Sequence, residues 1–165
     1  MNSALSLTCT RQATAQDAEL VYNLYCQTPD YFDNVISIPL PTLSEVTREI
    51  EVALQDPRRR TELVLEPTTN TVVGYLDYKL DYPEAGDATV NLLLIPEPLQ
   101  SQGHGQRCIR DLEARLAGRA KRILASIYGQ NERAKQFWKS LGYTFAIDAK
   151  PVLDWYAKDL EAPVA

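Results

Sequence analysis

The sequence predicts an α/β chain in which strands and helices are interleaved. Apolar residues recur at helical spacing in four segments and in strand-like runs between them. Clusters of Pro, Gly, Asn and Asp fall between the segments, where turns are needed. The resulting order is β-α-α-β-β-β-α-β-α-β-β, with no repeat, low-complexity stretch or linker. One domain covering residues 1–165 is therefore expected.

Each element has its own warrant. Ser6–Ala13 reads as a first strand. Thr14 then caps a helix whose Ala18, Val21 and Tyr25 share a face, with Asp17 near the positive end of the dipole. Pro29 helps to end it, and Tyr31–Pro41 reads as irregular. Ser44 is expected to cap a second helix, lined by Val46, Ile50 and Leu54 and stopped by Asp56-Pro57. Thr61–Glu66 and Thr71–Tyr82 flank Pro67-Thr68-Thr69-Asn70, a hairpin signature. In the second run Val72, Leu76, Tyr78, Leu80 and Tyr82 are expected on one face. After a turn at Pro83–Gly86, the strand Asp87–Ile95 ends in Leu92-Leu93-Leu94-Ile95, the mark of burial on both faces. Gly103–Leu116 is helical through Ile109, Leu112 and Leu116, with Gly118 at its end. Arg122–Tyr128 is a short strand. Asn131–Leu141 is a helix turning Ala134, Phe137, Trp138 and Leu141 inward, with Gly142 as its C-cap. Tyr143–Ile147 and Val152–Lys158 close the sheet as an antiparallel pair.

Composition narrows the function. No apolar run reaches the ~18 residues of a membrane span. The opening Met1-Asn2-Ser3-Ala4-Leu5 has no basic segment ahead of an apolar stretch, so a cytoplasmic location is expected. Cys9, Cys26 and Cys108 are odd in number and widely spaced, and the chain has a single histidine; neither a disulfide framework nor a metal site is expected. The net charge of −5 is unevenly spread: residues 103–139 hold nine Lys/Arg and three acids, a local +6 that leaves −11 elsewhere. A basic segment in an acidic chain points to a local polyanion site. Overall acidity, with no aromatic-rich binding strand and no helix-turn-helix, weighs against nucleic acid as the partner.

The polyanion has an obvious seat. Leu93-Leu94-Ile95 leads through Pro96-Glu97-Pro98-Leu99 to Gln100-Ser101-Gln102-Gly103-His104-Gly105-Gln106, a buried strand joined to a helix by Gln-x-x-Gly-x-Gly. Such a turn converges backbone N–H groups on an anion, and the helix start adds free N–H groups and a positive dipole end. A pyrophosphate suits it. The dinucleotide fingerprint fails because Cys108 stands where a third glycine is required. The nucleoside triphosphate loop fails because Gly-Lys-Ser/Thr is absent.

Here the chain resembles the Gcn5-related N-acetyltransferase superfamily. That family's cofactor motif, Arg/Gln-x-x-Gly-x-Gly/Ala, matches Gln100 to Gly105, five residues beyond Ile95. Its second motif matches Asn131, Ala134, Phe137 and Gly142-Tyr143. The likeness is strong over Ala88–Tyr143 and topological before that. It implies a mixed, mostly antiparallel central sheet flanked by helices, in which a parallel strand pair ending at Ile95 and Tyr128 splays apart to form an acyl-coenzyme A cleft. Acetyl-coenzyme A would be the co-substrate, with no metal. Leu93, Leu94 and Ile95 would offer backbone to the pantetheine arm like an added strand. Gln100, Ser101, Gln102, Gly103, His104, Gly105 and Gln106 would wrap the pyrophosphate, and Asn131 would bond the cofactor. Asn131 also reads as a helix N-cap, and His104 as a solvent-facing loop residue.

The implied reaction is direct attack by a primary amine of a small molecule or peptide on the thioester. Many family members supply a Glu base and a Tyr acid, but the corresponding positions are Thr89 and Trp138. Three readings follow. Thr89 and Asn91, on one strand face by alternation, hold a relay water; Tyr128 acts as the acid; or the protein binds acyl-coenzyme A as a non-catalytic sensor or scaffold. Tyr31 and Phe32 are expected to cover the acceptor site. The −11 outside the basic segment favours a cationic acceptor. A homodimer is compatible with this reading, and the sequence leaves the oligomeric state open.

Overall fold

A computed structural model describes residues 9–35, 38–128, 131–150 and 153–160. Among them one sheet runs β1 (Thr10–Gln12), β2 (Arg59–Leu65), β3 (Val72–Leu80), β4 (Asp87–Leu94), β5 (Arg122–Tyr128), β7 (Leu153–Asp159), β6 (Thr144–Lys150), in that spatial order. Every neighbouring pair is antiparallel except β4–β5, which is parallel. Helices α1 (Ala18–Cys26), α2 (Leu43–Gln55), α3 (His104–Leu116) and α4 (Glu132–Ser140) complete the expected element order. The fold is thus mixed α/β with a mostly antiparallel sheet. Part of the expected first strand, residues 6–8, lies outside the described residues.

Two apolar cores form on either side of the sheet. Ile109, Leu112 and Leu116 of α3 and Trp138 of α4 pack with Leu76, Tyr78, Val90, Ile123 and Ala125. Val21, Leu24 and Tyr25 of α1 and Val46 and Ile50 of α2 pack with Leu63, Tyr75 and Leu94. Each fully buried side chain of this kind contributes about 1.5–3 kcal/mol through lost apolar hydration.

The helix ends follow from side-chain chemistry, with two corrections. The cap of α2 is Thr42 rather than Ser44: its hydroxyl accepts from the Glu45 N–H at 3.1 Å, and Glu45 accepts from the Thr42 N–H at 2.9 Å. The Thr-x-x-Glu spacing allows this reciprocal pairing, which Ser44 lacks. On the same helix Leu54 is 42% exposed and Ala53 is buried in its place. At 100° per residue, position 53 returns to the Val46 face whereas position 54 swings about 80° past it. The end of α4 is as expected: Gly142 at φ +95° lets its N–H reach the Lys139 carbonyl and the Tyr143 N–H reach that of Trp138.

Two irregularities, one in the β2–β3 pairing and one in the β3–β4 pairing, interrupt alternation near the site. Val64 faces Gly74 but Leu65 faces Val72, so Val73 has no counterpart. Val72 therefore packs in the core under α1 and α2, apart from Leu76, Tyr78 and Leu80, and Tyr82 lies past the strand, exposed. Tyr78 faces Val90 but Asp77 faces Leu92, so Asn91 is the extra residue of a second bulge. After it, Leu92 and Leu94 turn to the α1/α2 core while Leu93 packs in the other.

Buried charge ties the layers. Arg115 of α3 donates to Glu62 of β2 (3.0 Å) and to Asp111 (2.8 Å), while the Tyr78 hydroxyl of β3 donates to Glu62 (2.8 Å). At the start of the parallel pair Arg122 holds Asp87 with two bonds, 2.8 and 3.3 Å. Pairing of β4 with β5 runs only from Asp87↔Arg122 to Val90↔Ala125. The two strands are clamped at that end and unpaired beyond it.

Candidate acyl-donor cleft

Where β4 and β5 part, a cleft of about 940 Å³ opens. Its walls are Leu93, Leu94 and Ile95 at the end of β4, the turn from Gln100 to Gln106 except Gln102, and Asn131, Arg133, Ala134 and Phe137 of the α4 start. Thr28, Asp30, Tyr31 and Val35, following α1, close one side. Such a volume suits a cofactor-sized ligand.

The edge of Leu92–Leu94 that faces β5 has no strand partner among the described residues. It is a ready template for an extended ligand with amide groups. β3 supports it closely: a Cβ on Gly74 would lie 2.6 Å from the Ile95 side chain and 2.8 Å from the Leu94 carbonyl oxygen. Glycine permits that approach.

The turn is shaped by its own side chains. Gln100 donates to the Ile95 carbonyl at 2.8 Å and folds the chain back. Ser101 and Gly103 have φ of +63° and +87°. A non-glycine in this region carries strain, which concentrates at ligand sites. A Cβ on Gly103 would meet nothing within 4 Å, so its surface is open. A Cβ on Gly105 would sit 3.2 Å from the Phe137 ring, so glycine there lets α3 and α4 close together. The first turn of α3 thus presents free N–H groups and its positive end toward the cleft. These features fit a pyrophosphate with an extended amide arm.

The remaining expected site residues divide. Asn131 is the N-cap of α4, its side-chain oxygen accepting from the Ala134 N–H at 3.0 Å, and it also lines the cleft. His104 corrects the expectation of a solvent-facing residue, being the first residue of α3 and 8% exposed. Burial first, and Arg107 second, lower its pKa. Gln102 is exposed, bonds the Pro98 carbonyl at 3.2 Å and is not in the cleft wall. Thr89 lies in the clamped half between Lys79 and Leu124, fully buried, donating to the Tyr82 carbonyl at 2.6 Å. It does not reach the cleft. Asn91 is half-buried at the bulge that breaks its alternation with Thr89, and is not in the wall either. Phe32 is a core residue, its ring 5.4 Å from that of Tyr25. Tyr31 does line the cleft; burial, with Tyr128 nearby, pushes its pKa up to about 12. Tyr128, 45% exposed, stands outside the wall at the open end of β5. Trp138 is core, against Tyr143.

Sequence reading missed Asp30, Glu97 and Arg133. The Asp30 N–H donates to Glu97 at 3.1 Å, and the Glu97 N–H donates to the Gln27 carbonyl at 3.1 Å. This stitch joins two loops 67 residues apart, which no local pattern announces. Arg133 reaches within 3.5 Å of the Ser101 hydroxyl and adds a cation at the rim. Its place in the basic segment was the available signal. Among the described residues no group of three or more His, Cys, Asp or Glu could hold a metal ion. No helix there is long and apolar enough to cross a membrane.

Known proteins share this fold. The acetyltransferase from Thermus thermophilus is 39% identical, with a TM-score of 0.83 over 92% of this chain and 96% of its own. RimL, a ribosomal L7/L12 α-N-protein acetyltransferase in complex with coenzyme A, superposes at 0.77 with 15% identity, covering 93% and 94% of the two chains. The aminoglycoside acetyltransferase AAC(6')-Ib, also with coenzyme A, gives 0.74 at 14% identity over 91% and 93%. At such identities these two speak for the fold alone. No curated protein sequence matches the chain. Residues 21–143 match the acetyltransferase (GNAT) family, most of the chain's length. With the glycine turn, the parted parallel strands and the shared fold all in place, the chain belongs to the acetyltransferase (GNAT) family.

Proposed function

We propose that this protein moves an acetyl group from acetyl-coenzyme A to a primary amine of a small molecule or peptide by direct attack. The observation that carries the reading is the unpaired edge of Leu92–Leu94 running into the glycine turn at the start of α3. The bound co-substrate supplies a thioester whose acyl carbon is the electrophile. The chain's own groups hold and orient it. Backbone of Leu93, Leu94 and Ile95 bonds the pantetheine arm, the Gln100–Gln106 turn takes the pyrophosphate, and Asn131 keeps its amide NH2 for the ligand. The backbone and dipole of α3 act here without a metal. One 165-residue domain in the cytoplasm accords with one continuous sheet and with free thiols at Cys9, Cys26 and Cys108.

Among the tyrosines, Tyr31 lines the cleft and Tyr128 stands exposed at the end of β5. Either hydroxyl can protonate a departing thiolate. With Thr89 buried away from the cleft, the base reading moves to water or to the acceptor's own free-amine form. Asp30 and Glu97 give the cleft wall two carboxylates, which favour a cationic acceptor. RimL and the aminoglycoside enzyme, by their names, act on a protein and on a small-molecule amine. Thiol release from acetyl-coenzyme A, screened against polyamines, basic peptides and acidic amines, tests the proposal. Turnover with cationic amines supports it, and faster turnover with acidic amines contradicts the acceptor class. A second reading, a non-catalytic acyl-coenzyme A sensor or scaffold, is favoured by the absence of a β4 carboxylate beside the cleft. Binding without thiol release for any amine would establish it.

A further inference from the structure

His104 is the only histidine in the chain. It opens α3, is more than nine-tenths buried, and lines the cleft. Arg107, one turn on, holds its Nη2 2.7 Å from the His104 Nδ1. A guanidinium has donors only, so Nδ1 must accept and the ring proton must sit on Nε2. Nε2 has no partner among the described residues. His104 lines the cleft and Arg107, which engages Nδ1, does not, so Nε2 is the ring nitrogen left available to a ligand there. Arg107 accepts a cost to stay there: its Nε is buried with no hydrogen-bond partner. The charges acting on the ring are Arg107, which opposes a second proton, and Glu66, just past β2, which favours one. Desolvation is the largest influence and also keeps the ring neutral.

We propose that Arg107 is a positioning residue that fixes His104 as the Nε2–H tautomer, and that His104 donates this N–H to a phosphate oxygen of acyl-coenzyme A. The inference rests on the reading of the cleft as an acyl-coenzyme A site. It adds one side-chain donor to the backbone donors of the turn and removes His104 as a general base, since the ring's acceptor nitrogen is already engaged. A neutral donor of this kind works unchanged across the pH range in which an ordinary histidine would titrate.

The test is long-range proton–nitrogen NMR of the single imidazole in 15N-labelled full-length protein, from pH 5.5 to 8, without and with coenzyme A, alongside calorimetric affinities. The expected free-state spectrum is that of a neutral ring with Nδ1 unprotonated, and coenzyme A shifts the Nε2–H signal while Nδ1 stays an acceptor. Arg107→Met is expected to mix the tautomers. His104→Leu is expected to weaken coenzyme A binding roughly tenfold or more, the scale of one hydrogen bond to a charged group, while His104→Gln stays within about threefold. An Nδ1–H ring, or a ring titrating with a pKa near 6.5, overturns the inference. So does an imidazole that ignores coenzyme A shown to bind by calorimetry, which leaves the cleft reading intact. No calorimetric binding to the wild-type protein overturns both.

Discussion

Gly103 and Gly105 are two residues apart and are required for different reasons. Gly103 has positive φ in open space, so Gly103→Ala meets backbone strain alone and is expected to cost about 1–2 kcal/mol in urea unfolding. For Gly105→Ala the limit is the Phe137 ring at 3.2 Å. Its Cβ must push the ring aside, so coenzyme A affinity is expected to fall more than stability does. Tyr31 makes a pH prediction. Burial raises its pKa to about 12, so between about pH 10 and 12 the unfolded phenol ionises while the folded one keeps its proton. Stability from this group is present below pH 10 and lost as pH rises through that window. Tyr31→Phe should therefore show a shallower decline of Tm above pH 10 than the wild-type protein. Equal slopes would contradict the burial argument. At this scale the sequence was informative where a motif fixes backbone, as at Gln100–Gly105 and Asn131. It misled where contacts are made across the fold. Tyr31 and Phe32 are adjacent, yet one lines the cleft and the other fills the core. The Thr89 expectation assumed unbroken alternation, and a bulge at Asn91 is set by hydrogen-bond register that composition does not encode.

Among the elements, α3 matters most, because it carries both the anion-facing turn and a core face. Arg115 anchors it to β2 and β3 through Glu62, in a setting where Tyr78 and Asp111 satisfy the remaining bonds. Removing one member leaves a buried charge unpaired, so Arg115→Ala is expected to lose about 3–5 kcal/mol in denaturant unfolding. A loss below about 1 kcal/mol would show the network to be solvated. Helix α2 offers a complementary check: Leu54→Ser on the exposed side is expected to stay within about 0.5 kcal/mol, whereas Ile50→Ala should cost about 2–5 kcal/mol. All four helices were legible from apolar spacing. The cap of α2 required weighing Thr-x-x-Glu against a nearby serine, and the single π-helical turn Tyr31–Val35 gave no periodic signal.

At the scale of the molecule, the division of charge seen in the sequence maps only in part onto the cleft. The basic segment folds into α3, β5 and α4, but of its nine Lys/Arg only Arg133 lines the cleft, beside Asp30 and Glu97; Arg115, Arg119 and Arg122 are instead paired with Glu62, Asp81 and Asp87. The clamp of Asp87 on Arg122 fixes one end of the parallel pair, and the strands are unpaired at the other. The measurement that tests the central claim most directly is thermal unfolding with and without acetyl-coenzyme A at about 100 times its Kd. A ligand that binds only the folded protein adds roughly 2.7 kcal/mol there, a Tm rise of roughly 5–10 °C for a chain of this size. That rise is the predicted result. An unchanged Tm with acetyl-coenzyme A, longer acyl-coenzyme A and free coenzyme A alike would contradict the account.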